Sequence, residues 1–434
     1  MKNTISILYF FLGTLFLQAQ ETVPITKAAL LLKVSENNIT IKISEQEFNK
    51  AKADYNQTNA VFLPNISASY TGISTTNPLM AFGSKLNQEI LTQNDFNPAL
   101  LNNPTTTRNF ATKIEIQQPL INLDGFYQRK AAKTKMEAMS LQSSRTADYL
   151  TFEVEKSFMQ LQLAYKAVEV LELALEAAEA NRKIATNNFE QGYLQQADIL
   201  NVDVRITEVK NLLQTSKSNL QNASNYLSFL RNDKEFVVYK PAEDLTITTF
   251  NMDEKIISEN RADIKAMQLA SNAYEEMNKA DKMTFFPRLN AFGSYEIYDN
   301  KVFQSDANGY LIGAQLSWDI FQGSKRFGKA QKSKAEFEQS KLEYTQYVSK
   351  SNLELNKVKR QLIDARNRLE LTALAVEQSK ESLRIRKNRF KEGLEKTSDL
   401  LVAETQFAQK QLEYYQTIFE YNYTQTYLEF LTKN

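Results

Sequence analysis

The sequence predicts a mainly α-helical chain with a transmembrane β portion, assembled from two copies of one structural unit. Three observations support this prediction: the placement of glycine and proline, an internal repeat, and two regions of alternating apolar and polar residues. The 434 residues include only 11 glycines and 8 prolines, and most of these lie in Pro64–Gly125 and Pro287–Gly328. Because both residue types interrupt helices, the spans outside these two windows favour long helices.

The internal repeat aligns Phe189–Leu230 with Phe390–Leu431 at a constant offset of 201, with eight identities over 42 positions. Each copy reads as a long helix, a reversal at one glycine, and a long helix back. The alignment places Gly192 on Gly393, where each glycine is predicted to cap the preceding helix with a positive φ. It also places Asp198 on Asp399 and Asp203 on Glu404.

The repeat divides the chain into four segments. Residues 1–20 are predicted to be a signal peptide, residues 21–231 the first repeat, residues 232–255 an equatorial segment of mixed structure, and residues 256–434 the second repeat. Each repeat is expected to hold a helix, a strand pair and a long helical hairpin. The strand pairs are predicted at about residues 64–120 and 287–321.

The N-terminus has a basic Lys2, an apolar run Ile5–Leu17 of 13 residues, and a small-residue zone at Ala19. A membrane-spanning helix needs about 20 apolar residues, so this pattern favours a secretory signal peptide. A retained N-terminal anchor is the alternative.

Charge and composition exclude several classes of function. The 52 basic residues balance 51 acidic ones, so there is no electrostatic case for nucleic acid as a partner. The chain has no cysteine and no histidine, which removes disulfides, thiol chemistry, histidine bases and the commonest metal ligands. We therefore expect no catalytic site, no cofactor and no metal, and the protein is predicted not to be an enzyme.

In the first repeat, a 3–4 spacing of apolar residues predicts a helix from about Ile25 to Ala60, ended by Pro64. Period-two alternation then predicts a strand after Pro64 and a second one over Phe110–Leu120. Between them, Asn77–Arg108 is a polar connection too long for an idle loop. Two long helices follow, Phe126–Gln191, which would span about 100 Å, and Gln195–Arg231.

The second repeat follows the same order. Ile256–Phe286 is predicted to be a helix, and Pro287 begins a strand in which Leu289, Ala291, Gly293, Tyr295 and Ile297 share one face. A second strand and a helix of about 100 Å ending at Glu392 complete the pattern.

Four amphipathic strands cannot close a membrane barrel, because the smallest such barrels need about eight strands. Open sheet edges are not tolerated in lipid, so membrane strands of this number require several chains to share one barrel. The helix seams carry many small and polar residues, which suit a hollow wall better than a dry core. An oligomeric tube with a barrel at one end satisfies both constraints.

The sequence resembles the TolC-type outer membrane efflux proteins over nearly the whole mature chain. The resemblance rests on the duplication, on the strand starts at Pro64 and Pro287, on the junction Leu316–Arg326, and on a glycine followed six residues later by aspartate in both turns. It implies long antiparallel helical hairpins that form a trimeric α-barrel tunnel, capped by a shared 12-stranded β-barrel with four strands per chain. It also implies a homotrimer that docks to an inner-membrane pump through a periplasmic adaptor protein.

The resemblance assigns the site residues. Gly192, Asp198, Gly393 and Asp399 would form the periplasmic tip and gate, where the adaptor docks. Asp399 matches one aspartate of the family's constriction, whereas Val402 replaces the second, so this sequence carries only one of the two aspartates of a doubled acidic ring. For both aspartates, a helix-capping role remains the alternative. Asp203 and Glu404, which the 201-residue offset also aligns, would add charge near the two turns.

Aromatic residues near the strands are predicted to lie at the membrane interface with outer-membrane lipid: Trp318, Tyr295, Tyr298 and Tyr310. A basic cluster on the last long helix has two interpretations, a solvated face or a contact with a neighbouring helix or the adaptor. Its members are Arg384, Arg386, Lys387 and Arg389.

The predicted function is an outer-membrane channel of a tripartite efflux or type I secretion system, in a Gram-negative-type bacterium, with its helical part in the periplasm. The alternative is a secreted or surface coiled-coil scaffold without a pore. The scaffold explains the long helices and the charge balance but not strands that alternate apolar residues with Lys and Glu.

Overall fold

The computed structural model describes residues 22–249 and 255–434, so the predicted signal peptide lies outside the described residues. The helices are α1 (Lys27–Asn37), α2 (Ile39–Gln57), α3 (Pro78–Asn87), α4 (Pro98–Asn102), α5 (Leu123–Glu190), α6 (Gln196–Arg231), α7 (Ala262–Met283), α8 (Lys325–Lys391) and α9 (Thr397–Thr432). The strands are β1 (Thr22–Ile25), β2 (Asn65–Thr75), β3 (Thr107–Ile121), β4 (Val238–Pro241), β5 (Arg288–Asp299) and β6 (Ala307–Ser317). The predicted fold class, mainly helical with four amphipathic strands, is confirmed.

The chain forms two compact units. The first, here called the hairpin unit, takes residues 22–43, 145–249, 255–261 and 350–434. The second, the sheet unit, takes residues 44–144 and 262–349. Helices α5 and α8 contribute residues to both units.

Within the hairpin unit, α5 and α6 run antiparallel. Lys217 pairs with Glu172 at 2.9 Å, and Lys210 pairs with Glu179 at 3.2 Å. The paired residue nearer the turn in one helix is thus also nearer the turn in the other, as in an antiparallel hairpin. Helices α8 and α9 form the second hairpin with a shared apolar seam. Its buried members are Leu355, Val358, Leu362, Leu428 and Leu431. Burial of each such side chain contributes about 1.5–3 kcal/mol to folding.

The first predicted helix is interrupted, which the apolar spacing did not reveal. Asn38 has an extended backbone between α1 and α2, its side-chain oxygen accepts the Thr40 N–H at 2.8 Å, and its amide donates to the Leu230 carbonyl at 2.7 Å. An asparagine that caps a new helix in this way competes with continued helix. Residues 22–25, at the edge of the predicted helix, instead form β1.

The equatorial segment was predicted to be mixed, and in the structure it contains β4, which pairs in parallel with β1. Tyr239 of β4 is buried in the apolar core of the hairpin unit. Leu245, further along the segment, is buried in a separate apolar cluster with Leu369 and Ile418.

The sheet unit is built on four antiparallel strands in the order β2-β3-β5-β6. The register places Ala68, Ile114, Tyr295 and Tyr310 in one row across the sheet. Because directly opposed residues in an antiparallel sheet share a face, the face of this row is defined along all four strands. We call it the apolar face, and its larger side chains are Ile66, Tyr70, Ile114, Ile116, Tyr295, Ile297, Tyr310, Ile312 and Leu316.

The opposite face of the sheet is polar. Lys113 lies 3.0 Å from the Glu115 carboxylate and 3.5 Å from that of Glu296, and serines of β2 and β5 flank these residues. The alternation predicted from the sequence therefore holds at most positions, with Ile73, Phe292 and Leu311 as apolar exceptions on this face.

The connection between β2 and β3 is ordered and contains α3 and α4. The Gln88 amide, just after α3, donates to the Arg108 carbonyl at 2.9 Å and to the Asn109 side chain at 2.7 Å. Asn109 lies on the polar face, because it is four residues from Lys113 in the same strand. The connection is thus anchored over one end of that face.

Candidate functional site

Both predicted turns adopt the same geometry in the hairpin unit. Gly192 has φ +81° and Gly393 has φ +69°. The Gly192 N–H donates to the Phe189 carbonyl, and the Tyr193 N–H donates to the Asn188 carbonyl. The second turn repeats both bonds, with 3.1 Å for Gly393 and 2.9 Å for the residue after it. This is a Schellman motif with glycine at the left-handed position.

A methyl group at either turn glycine would meet no described atom within 4 Å. The preference for glycine therefore comes from the backbone conformation and not from crowding. The residues that follow, Tyr193 and Leu394, are both exposed and apolar.

The two related aspartates have different surroundings. Asp198 accepts the Gln195 N–H at 3.1 Å and completes a capping box at the start of α6. Asp399 makes no such bond to the N-cap residue of α9, Lys396, among the described contacts, and its carboxylate lies 3.9 Å from the Arg386 guanidinium. Both aspartates lie in the first turn of their helices, but only Asp198 makes the capping hydrogen bond, and the side chain of Asp399 is 47% exposed.

An ion-pair network that the sequence did not reveal closes the second turn. The Glu395 carboxylate accepts from Arg386 at 2.7 Å and from Arg389 at 2.8 Å, and Arg389 also donates to the Leu394 carbonyl at 3.1 Å. Two of the four basic residues in the predicted cluster therefore hold the turn. Arg384 forms a separate, exposed pair with Glu381. The sequence signal for this network was an acid, Glu395, placed six residues after Arg389 and nine residues after Arg386, on the other side of the turn.

An apolar cluster next to the turns draws residues from α5, α6, α8 and α9. Phe390 and Leu400 are fully buried there with Ala185 of α5 and Val202 of α6. The repeat-related Phe189 is instead exposed. The two halves of the repeat therefore share a backbone but not a packing arrangement.

The second related pair of acids diverges further. Asp203 is exposed, and the Arg182 guanidinium beside it lowers the pKa of that carboxyl. Glu404 is only 8% exposed, and burial raises the pKa of its carboxyl to about 7, partly opposed by the charges of Arg205 and Lys387. Its one described hydrogen-bond partner is the Asn181 amide of α5. Glu404 is therefore an interior group, and the expectation that it adds charge near the turn stays a prediction.

The sheet unit separates the four predicted interface aromatics. Tyr295 and Tyr310 are directly opposed on the apolar face and are exposed. Tyr298 lies on the opposite, polar face, where its hydroxyl donates to the Glu296 carboxylate, and its role at a membrane interface stays a prediction. A residue three positions from Tyr295 in a strand necessarily faces the other way.

Trp318 follows β6 directly and is exposed. Its indole N–H donates to the Phe285 carbonyl at 3.0 Å, which fixes the ring beside the start of β5. The role of Trp318, Tyr295 and Tyr310 at a membrane interface stays a prediction.

Comparison with known proteins identifies the chain. The family model described as outer membrane efflux protein matches residues 30–232 and 255–430, which is most of the sequence. The chain belongs to the outer membrane efflux protein family. The resemblance inferred from the motifs is thereby confirmed, and the efflux protein acts in the outer membrane as a channel and not as an enzyme.

Solved structures share the fold of this efflux protein. A membrane protein from Pseudomonas aeruginosa superposes with a TM-score of 0.83 at 15% identity, covering 94% of this chain and 93% of that one. The outer membrane protein VceC of Vibrio cholerae gives 0.78 at 15% identity, with coverage of 94% and 96%. The CmeC outer membrane channel of Campylobacter jejuni gives 0.78 at 16% identity, with coverage of 100% and 93%. A comparison with curated protein sequences finds no significant match.

Among residues 22–249 and 255–434, no helix of the efflux protein is both long and apolar enough to span a bilayer. The same residues contain no group of three or more acids placed to hold a metal ion.

Proposed function

We propose that the protein is the homotrimeric outer-membrane duct of a tripartite efflux or type I secretion system, through which substrates delivered by an inner-membrane pump and a periplasmic adaptor leave the cell. Each chain gives four strands to a shared 12-stranded barrel in the membrane of a Gram-negative-type bacterium, and its hairpins form a periplasmic tunnel. The chain is organised as two repeats, residues 21–231 and 256–434, joined by the segment 232–255.

The observation that supports this proposal is the sheet itself. Its apolar face is exposed, with Tyr310, Ile312 and Leu316 among the most exposed apolar residues of the chain. No strand of the described residues pairs with the outer edge of β2 or of β6. An exposed apolar face suits lipid, and unpaired edges in lipid require other chains to complete the barrel.

The pattern also weighs against a pore-free scaffold. A water-soluble coiled-coil protein rarely exposes a contiguous apolar sheet face opposite a charged one. Fractionation separates the two functions, because the duct requires detergent for extraction and the scaffold does not.

The tip and gate are proposed at Gly192, Asp198, Gly393 and Asp399. The exposed Tyr193 and Leu394 beside the glycines offer apolar contacts to the adaptor. In a trimer, three copies of Asp399 contribute a ring of carboxylates, whereas Asp198 is engaged in capping α6. The gate is therefore proposed to depend on Asp399 more than on Asp198.

Planar-bilayer recording tests the proposed function. Purified protein should give discrete channels, and Asp399→Ala should raise the single-channel conductance or change the cation preference. Asp198→Ala serves as the matched comparison and should change ion selectivity less than Asp399→Ala does, while destabilising α6 by about 1 kcal/mol. Absence of channel activity in the wild-type protein would count against the duct, and an unchanged Asp399→Ala channel would leave the duct but remove the gate assignment.

A further inference from the structure

We propose that Glu404 and Asn181 form a proton-operated lock that holds α5 and α9 together when Glu404 is protonated and releases them when it is ionised. The inference deepens the proposed function, because the same helices lead into the two turns assigned to the tip. The lock belongs to the chain's own interior and does not involve the exposed Asp399.

The geometry of the pair favours a neutral carboxyl. Asn181 is 1% exposed, and its amide nitrogen donates to Glu404 Oε1. Glu404 Oε2 and Asn181 Oδ1 are both buried without a hydrogen-bond partner among the described residues. A buried polar atom without a partner destabilises the fold.

One proton satisfies both atoms. A protonated carboxyl carries one O–H donor and one acceptor, which matches the acceptor and donor of a carboxamide. Protonation at Oε2 would let the carboxyl donate to Asn181 Oδ1 while Oε1 keeps its bond from the amide nitrogen. An ionised carboxylate offers only acceptors, so Asn181 Oδ1 stays without a donor and a charge is buried beside it.

Three helices other than α9 face Glu404. Helix α5 presents the neutral Asn181, α6 presents Arg205, and α8 presents Lys387. Arg205 is also paired with Glu208 at 3.4 Å, which divides its charge between two carboxylates. The two cations oppose the effect of burial without cancelling it, so the pKa of Glu404 rises from 4.5 to about 7.

The sign of the pH effect follows from this direction. A raised pKa means that the packed helices bind the proton more tightly than the separated helices do, so the stabilisation is fully present below pH 4.5 and is lost as the pH rises through about 7. Between pH 6 and pH 8, the fraction of locally opened molecules should rise roughly tenfold. A change near neutral pH places the lock in the range that a bacterial envelope experiences.

The repeat supplies a matched control. Asp203 occupies the position related to Glu404 by the 201-residue offset, but it is exposed and paired with Arg182. Asp203→Asn therefore removes one carboxylate from the related helix without touching the lock. Glu404→Gln is nearly isosteric with the protonated acid and offers a donor to Asn181 Oδ1 at every pH.

Hydrogen–deuterium exchange of the full-length protein in detergent tests the lock. After correction for the intrinsic pH dependence of exchange, peptides covering residues 178–190 and 397–408 should open roughly tenfold more at pH 8 than at pH 6 in the wild type and in Asp203→Asn. In Glu404→Gln, opening should be independent of pH and should stay at the level that the wild type reaches below pH 4.5, roughly 30-fold below the wild type at pH 6. Equal pH responses in the wild type and Glu404→Gln would overturn the proposal.

Two further outcomes are decisive. If Glu404→Gln does not fold, the pH profile of the wild type and Asp203→Asn decides: a rise that begins above pH 4.5 and levels off above about pH 7 supports the lock, and a flat profile overturns it. Bilayer recordings of the same preparations separate the lock from the duct. A conducting protein with flat exchange loses only the lock, whereas pH-dependent exchange without conductance loses only the duct.

Discussion

Replacing Glu395 with glutamine is expected to loosen the turn between α8 and α9. The Glu395 side chain is 10% exposed and accepts charged hydrogen bonds from Arg386 and Arg389, whose side chains are 40% and 57% exposed. Hydrogen bonds to charged groups contribute about 1.5–3 kcal/mol each when shielded, and exposed ion pairs contribute less than about 1 kcal/mol. Since both cations are partly solvated, we expect a loss of about 1–2 kcal/mol for the pair of interactions.

A loss of that size raises the population of an opened turn by a factor of about 5–30. Hydrogen–deuterium exchange of peptides spanning residues 386–399 measures this population directly. The matched control is Glu381→Gln, which removes a carboxylate from the same helix where it pairs only with the exposed Arg384. The control should change exchange by less than a factor of about 3.

Equal exchange in the two variants would refute the reasoning that Glu395 ties the turn together. Under the proposed function, Glu395→Gln should also raise the open probability of the channel in planar bilayers. An increase in exchange without an increase in open probability would keep the network structural and remove it from the gate.

Three further predictions follow from the same geometry. Gly393→Ala should lower the free energy of unfolding by about 1–2 kcal/mol, because Gly393 has a positive φ. Gly328→Ala should raise it by about 0.5–1 kcal/mol, because Gly328 lies within α8, where alanine is the better helix former. Thermal or denaturant unfolding measures both changes. The single-channel conductance of Asp399→Ala should differ from that of the wild type less in 1 M salt than in 0.1 M salt, because screening weakens the effect of an exposed charge on passing ions. Ile312→Arg on the apolar face should reduce folded protein in the outer membrane, with a penalty of about 2–4 kcal/mol at mid-membrane, while Gln315→Arg on the polar face should be tolerated.

The backbone plan could be predicted from the sequence because it rests on local signals. Glycine at a helix end, period-two alternation and breaker-free helical spans each act over a few residues, and the structure places Gly192, Gly393 and the strands where those signals lie. The break at Asn38 was missed because its cap competes with an apolar spacing that continues through it.

Side-chain environments at the candidate site could not be predicted in the same way. Glu404 and Asp203 are related by the repeat, yet one is buried against Asn181 and the other is exposed beside Arg182. That difference depends on which helices pack around each position, which no single helix encodes. The Glu395 network likewise joins residues on both sides of a turn and depends on its fold.

Tyr298 shows a different limit. Its distance of three residues from Tyr295 places it on the opposite face of the sheet, which its aromatic character alone did not reveal. The spacing of residues within a strand therefore decides the face on which each lies, whatever the residue type.

The central claim is that four strands per chain are completed by other copies into one membrane channel. The most direct measurement is native mass spectrometry of the protein extracted from outer membranes in mild detergent, together with its mobility before and after heating. The account predicts a single species of three chains that dissociates on heating. A stable monomer, or a protein released from cells without detergent, would contradict it.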